Sequence, residues 1–400
     1  MEKTWRWFGP NDVIRLEQLR EIGVEGIVTA LHHIPNGEIW TLDEIRKLQK
    51  FIEAAGLRWS VVESLPVCEA IKRGSAERDA LIANYVISLE NLGKAGVHTV
   101  CYNFMPVIDW IRTDLDHKHP DGTSSLYFDY ARFAFFDCCI LERQEAADDY
   151  SPEVMEQVAQ IGRTITEAQK EELINNIIVK TQGFVNGNIT EKDKQPVALF
   201  KKLLATYEGI DKARLRANFR YFMEAVTPTA HKYGVNLCIH PDDPPFPVLG
   251  LPRIVTSEED IDWLLNAVDV RENGLTFCAG SLSSGLQNNV PALAAKYAAR
   301  THFVHLRSTV VDSSRNFTEA GHLEGRANLI EVIRIFEAEQ KRRRSEGRPD
   351  WFIPMRPDHG PLMLDDVKHN CFNPGYSFYG RMKALAELSG AMAAVNYLNR

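Results

Sequence analysis

The apolar run Trp351-Phe352-Ile353-Pro354-Met355 passes directly into Arg356-Pro357-Asp358-His359-Gly360. A buried strand that ends on charged and metal-ligating residues is the pattern of a barrel whose active site stands on its strand ends. Three earlier runs end in the same way: Val235-Asn236-Leu237-Cys238-Ile239 runs into His240, Leu275-Thr276-Phe277 into Cys278, and Thr301-His302-Phe303-Val304 into His305. One such ending is uninformative, because a lone histidine is usually a hydrogen-bonded core or loop residue and a lone cysteine a small buried hydrophobe. Four in succession, carrying His, Cys, His and Asp, predict a single divalent-metal site built by neighbouring strands of one sheet.

Eight short apolar or β-branched runs recur along the chain: Trp5–Phe8, Gly26–Leu31, Arg58–Glu63, Thr99–Phe104, Val235–His240, Leu275–Phe277, His302–Leu306 and Phe352–Met355. They read as near-continuous apolar segments rather than strict alternations, which suits a parallel sheet covered by helices on its outer face. Helical sequence separates them. Thr41 is an N-cap with Glu44 in the capping-box position, Ser75 opens a helix through Leu81, Tyr85, Leu89 and Leu92, and Asn328 precedes Leu329, Val332, Ile333 and Phe336. Strand and helix alternating eight times predict an α/β fold, a (β/α)8 TIM barrel, with residues 1–400 forming one domain. The competing doubly wound sheet would usually carry a glycine-rich phosphate turn after an early strand, and none is present.

The spacing is even except between the fourth and fifth strands. Loops of that length inside a compact domain carry structure or function of their own. Ser151-Pro152 is an N-cap followed by proline at the first helical position, Glu167 to Val179 is a second helix, and Asp211 starts a third. Residues 107–210 are therefore predicted to be a mostly helical insertion on the catalytic face.

Composition narrows the class. The 400 residues are 44% hydrophobic and 25% charged, as in an ordinary globular protein, and a net charge of −8 gives no electrostatic reason to expect nucleic acid. No apolar run approaches the roughly 18 residues that span a bilayer, so no membrane partner is expected. The first residues lack the apolar core of a secretory signal, and seven cysteines without a repeating spacing argue against a disulfide framework. The expectation is a reduced, cytoplasmic enzyme. Lys341-Arg342-Arg343-Arg344 reads as a solvated helix end rather than a nucleic-acid patch.

The strand ends describe both a metal and a substrate. Softness alone favours Zn²⁺ or Fe²⁺ for a thiolate with two imidazoles, while the carboxylate permits Mn²⁺. No CxxC pair is present, so a structural zinc module is excluded in favour of an open, catalytic site. Arg307 and Arg356 are candidates to clamp a carboxylate. Asn103, His32 and His33 are hydroxyl-recognition types, and Trp7 is a candidate cover for a sugar-like face. Tyr376 or Tyr379, in the glycine-containing loop after the last strand, can bring a phenol over the site. Together these point to a small polyhydroxylated acid.

Four segments closely resemble the mannonate dehydratase family: Thr29-Ala30-Leu31-His32-His33-Ile34-Pro35-Asn36-Gly37-Glu38, Cys101-Tyr102-Asn103-Phe104-Met105-Pro106, Ile239-His240-Pro241-Asp242-Asp243-Pro244-Pro245 and Arg356-Pro357-Asp358-His359-Gly360. The resemblance implies a xylose-isomerase-like barrel that removes water from D-mannonate to give 2-dehydro-3-deoxy-D-gluconate in hexuronate (glucuronate) catabolism. It implies Mn²⁺ or Fe²⁺ held by His240, Cys278, His305 and Asp358, and acid/base roles for Asp358, His359 and Tyr376. Further copies of the chain, in a homo-oligomer, are the expected protein partner. Two rivals stay open at this level: a metal-dependent sugar or sugar-acid isomerase or epimerase on the same barrel, and a metal-bound sugar-acid sensor without turnover.

Overall fold

The computed structural model describes residues 1–183, 189–190, 192–368 and 372–398. Its strands in chain order are β1 (Glu2–Arg6), β2 (Gly26–Thr29), β3 (Arg58–Glu63), β4 (Thr99–Tyr102), β5 (Asp114–Lys118), β6 (Ser124–Phe128), β7 (Asn236–Ile239), β8 (Asn273–Cys278), β9 (Thr301–Leu306), β10 (Thr309–Val311), β11 (Phe317–Glu319) and β12 (Pro354–Pro357). Eight of them close a parallel barrel in the order β1-β12-β9-β8-β7-β4-β3-β2. The TIM barrel expected from the sequence is the fold, and the doubly wound alternative falls because the sheet has no open edge.

Side chains alternate across each strand, and this sorts the apolar runs into two cores. Ile27, Val62, Val100, Leu237 and Val304 point outward and pack beneath the helices. Their neighbours Val28, Val61, Cys101, Cys238 and Phe303 form a separate small cluster inside the barrel. With both faces buried the strands carry no polar side, which is why they read as continuous apolar runs. The outer helices follow their capping signals with two changes. Thr41 Oγ1 accepts from the Glu44 N–H at 3.3 Å, but the Glu44 carboxylate meets His33 Nε2 at 3.0 Å instead of returning to the cap. The helix expected from Ser75 starts at Arg78, because a short preceding helix, Glu69–Arg73, ends on Gly74 at φ 69°.

The long connection between β4 and β7 holds the helices Pro152–Thr164, Glu167–Ile174 and Pro196–Ala205, and Lys212–Tyr233 returns along the barrel wall against Arg78–Ala95. It also holds the hairpin β5–β6, for which the polar run Asp114-Leu115-Asp116-His117-Lys118 gives little signal. That hairpin joins β10 and β11, which come from the connection after β9, in a four-stranded antiparallel sheet ordered β10-β11-β6-β5. A second hydrophobic core, including Phe128, Phe133, Phe136, Ile177, Phe200 and Phe317, lies under this sheet and the inserted helices. The basic helix end is also tighter than expected. Arg343 is buried and donates to the carbonyls of Ala298 and Thr301 at 2.8 and 2.7 Å, so only its neighbours are solvated. No helix among the described residues is long and apolar enough to cross a membrane.

Candidate active site

A cavity of about 770 Å³ opens at the carboxyl ends of the barrel strands. Its position follows from the fold, since the strand ends and the loops behind them are the one place where inward-facing side chains meet solvent.

His240, Cys278 and His305 bring their ligand atoms within 4.8 Å of one another. They stand at the ends of β7, β8 and β9, which are neighbours in the barrel, with Cys278 in register with His305. His240 Nδ1 lies 2.7 Å from the Pro241 carbonyl, so in the neutral ring Nδ1–H donates there and Nε2 keeps its lone pair. That Nε2 faces His305 Nδ1 at 3.2 Å. The Cys278 sulfur accepts from the hydroxyl and backbone N–H of Ser281 at 3.1 and 3.5 Å, a setting for a ligand rather than for core filling. Burial, reinforced by the Arg356 guanidinium, pushes His305 well below its ordinary pKa and keeps that ring neutral. At His240 burial is outweighed by the Cys278 sulfur, which pushes the pKa well up, so His240 gives up a proton when it coordinates. The donor set therefore fits a divalent cation.

Asp358 is not part of that three-residue group; its Oδ2 lies 3.6 Å from the Cys278 sulfur. Burial would raise its carboxyl, but Arg356, His359 and Arg307 hold it well below the carboxylate range. Arg356 Nη1 donates to Oδ1 at 2.6 Å, and Arg307 Nε lies 2.8 Å from Oδ2.

Those same contacts change what the two arginines can do. Arg356 also donates to both oxygens of Glu63, at 2.8 and 3.0 Å, and Arg307 to Asp243 and Glu319 at 2.6 and 2.7 Å. Both candidate clamps line the cavity, and their donors are largely engaged by protein carboxylates. Arg6 is different. It lines the same cavity, has no ion-pair partner among the described residues, and its buried Nη1 has no hydrogen-bond acceptor.

His32, His33 and Asn103 all line the cavity. Protein around His32, with the Arg6 charge and then His33, lowers its pKa to about 3, so the ring stays neutral. Asn103 donates its amide to Asp109, a cavity-lining carboxyl raised by burial. Trp7 is not at the cavity. It is 2% exposed, donates Nε1 to the Ile14 carbonyl and stacks on Phe51. The physical reason is parity: residues one step apart on a strand face opposite ways, so Arg6 points in and Trp7 points out. The aromatic walls are instead Phe8, Trp40 and Trp110.

His359 Nδ1 lies 3.1 Å from Glu319 Oε1, which also accepts from Arg307 and, at 3.2 Å, from Arg112. Donation from Nδ1–H to this carboxylate leaves Nε2 as the basic nitrogen, 4.0 Å from Asp358 Oδ1. Burial would raise the Glu319 carboxyl, but Arg307, His359 and Arg112 hold it down to about 2. Tyr376 packs edge-on to His359 with ring centroids 5.3 Å apart, and burial pushes its phenol up, so it holds its proton. Tyr379 instead opens the last helix, its N–H donating to Asp366.

Arg6, Asp109, Trp110, Asp243 and Glu319 were not among the residues singled out by sequence. Asp243 lies within the His240 motif, and the parity of β1 was a usable signal for Arg6. Glu319 ends a three-residue strand and Asp109 follows no barrel strand directly, so neither offered one.

The chain matches a family model described as D-mannonate dehydratase (UxuA) over residues 1–400. It is 44% identical over 391 residues to a mannonate dehydratase of Marinomonas sp. (strain MWYL1), covering 98% of each chain. It is likewise 44% identical over 399 residues to a mannonate dehydratase of Chromohalobacter salexigens, covering 100% of each. The crystal structure of mannonate dehydratase from Streptococcus suis serotype 2 superposes with a TM-score of 0.77 at 32% identity, covering 100% of this chain and 96% of that one.

Proposed function

This chain belongs to the D-mannonate dehydratase (UxuA) family, and from that premise we propose how its cavity residues carry out the hydro-lyase reaction. D-mannonate loses the C2 hydrogen as a proton and the C3 hydroxyl as water. The C2–H and C3–O bonds break, a C2=C3 enol forms, and tautomerisation with protonation at C3 gives 2-dehydro-3-deoxy-D-gluconate.

His359 Nε2 takes the C2 proton. Glu319 supports this by holding Nδ1–H and stabilising the imidazolium that forms, in the manner of an acidic residue behind a catalytic histidine. Tyr376, a buried phenol that keeps its proton beside His359, donates to the departing C3 hydroxyl. His32, His33 and Asn103 receive the sugar hydroxyls. Arg307 and Arg356 keep Asp358 ionised and add positive potential to the cavity. His240, Cys278 and His305 would hold Mn²⁺ or Fe²⁺, with Asp358 as the fourth protein ligand. A divalent cation there supplies electrostatic stabilisation of the negative charge that builds on the substrate carboxylate as C2 is deprotonated. The observation that carries the reading is the convergence of two imidazoles and a thiol within 4.8 Å beside a buried, carboxylate-backed His359.

The test is direct. Purified protein with Mn²⁺ is expected to convert D-mannonate into a 2-keto acid, to lose that activity on chelation and to regain it with Mn²⁺ or Fe²⁺. Epimerised or isomerised sugar acid as the product would favour the rival chemistry on this barrel. Activity undiminished in a preparation shown by elemental analysis to be metal-free would remove the metal from the reaction. A homo-oligomer remains part of this proposal, and light scattering of the purified protein reads it.

A further inference from the structure

We infer that Arg6 is the residue that receives the substrate carboxylate, and that this one side chain sets the preference for an acid over its uncharged analogue. The inference rests on the dehydratase reading and deepens it. A guanidinium taken out of water is destabilised unless an anion and hydrogen-bond acceptors compensate it. Every other arginine at this cavity is compensated: Arg356 by Glu63 and Asp358, Arg307 by Asp243, Glu319 and Asp358. Arg6 is 8% exposed, and no carboxylate lies within ion-pair distance of it among the described residues. The acid that influences it most, Glu63, already has both oxygens on Arg356.

The surroundings hold Arg6 in place rather than neutralise it. Its guanidinium carbon lies 4.7 Å from the Phe8 ring centroid, and its backbone carbonyl accepts from Arg381 Nη1 at 3.0 Å. Its strand β1 lies beside β12, which carries Arg356 and leads into Asp358. Arg6 therefore lines the cavity from the next strand round the barrel, with a guanidinium donor still unsatisfied. A planar carboxylate entering there gains a charge-assisted, two-pronged partner without displacing any existing ion pair.

The experiment compares D-mannonate with D-mannonamide, the same chain with a neutral amide, on the Mn²⁺-loaded enzyme. In Arg6→Gln, KM for mannonate is expected to rise about 10- to 100-fold, the range for losing a charge-assisted bond. The inhibition constant of mannonamide is expected to move less than threefold or so by the same reasoning, so acid and amide become nearly equivalent. Arg6→Lys keeps the charge but loses the fork and should fall between wild type and Arg6→Gln; it also carries the test should Arg6→Gln fail to fold. Unchanged discrimination between acid and amide in either folded variant would overturn the assignment. Wild-type protein inactive on mannonate would instead sink the dehydratase reading itself, so the two failures are distinct.

Discussion

In the proposed reaction the proton transfer turns on the contact between His359 and Glu319, and two substitutions separate their roles. His359→Asn removes the basic nitrogen and is expected to lower kcat by about 10²–10⁴-fold, while metal content and mannonate binding persist. Glu319→Gln can still accept from Nδ1–H but cannot stabilise the imidazolium, so a fall in kcat of about 10–100-fold is expected, with little change in KM. Steady-state kinetics, elemental analysis and deuterium incorporation at C2 of recovered substrate read these effects. Wild-type kcat in Glu319→Gln would take Glu319 out of the reaction. At this scale the sequence was most legible where a residue directly ends an apolar strand: His240, Cys278 and His305, whose ligand atoms lie within 4.8 Å of one another, were visible that way. It was least legible where side-chain direction decides the outcome. Trp7, a candidate cover for a sugar face, packs in the outer core while Arg6 one residue earlier lines the cavity, because on a strand one residue is the difference between the two. Arg307 and Arg356 had the right type and place, but their carboxylate partners arrive from distant parts of the chain.

The barrel strands and their helices could be read because each obeys local rules of burial and capping, with boundaries shifting by a few residues. The last strand begins at Pro354, two residues later than expected, and so Arg356 lies on it. The insertion was legible as helix and illegible as sheet, since the polar strand β5 gains its stability from pairing with β6. Its contribution to the site can be tested at Gln182, whose side chain accepts from the Asp109 N–H at 2.9 Å and donates to the Trp110 carbonyl at 2.8 Å. Gln182→Leu removes the acceptor of the Asp109 N–H and a donor to the Trp110 carbonyl, and is expected to cost about 1–3 kcal/mol of stability. It should also raise KM, because Asp109 and Trp110 line the cavity. Urea denaturation and mannonate kinetics check both, and an unaltered midpoint would show that the pairings are not needed.

For the molecule as a whole, buried carboxylates tie stability to pH. Glu319 is held down to about 2 against burial by Arg307, His359 and Arg112, and Asp350 to about 2 by Arg348, His302 and Arg343. Carboxyls depressed in the folded state stabilise it above their unfolded pKa values, roughly 4, and that contribution is lost as pH falls towards 2. The buried histidines add an earlier loss: His32 and His302, held down to about 3 by burial, stay neutral when folded while the unfolded chain protonates below about 6.5, so the denaturation midpoint should begin to fall there and steepen below about 4. A midpoint flat down to pH 3 would contradict this account. The shared sheet also bears on the order of events during folding. Pairing β11 with β6 closes a loop that contains β7, β8 and β9, and contacts so distant along the chain form slowly. The barrel itself closes over a longer span still, Glu2 against Pro354, so the wall that gathers the cysteine and histidines is complete no sooner than the sheet that seats Glu319. A newly made chain would therefore gain its shape and its competence together, at the moment its two ends meet.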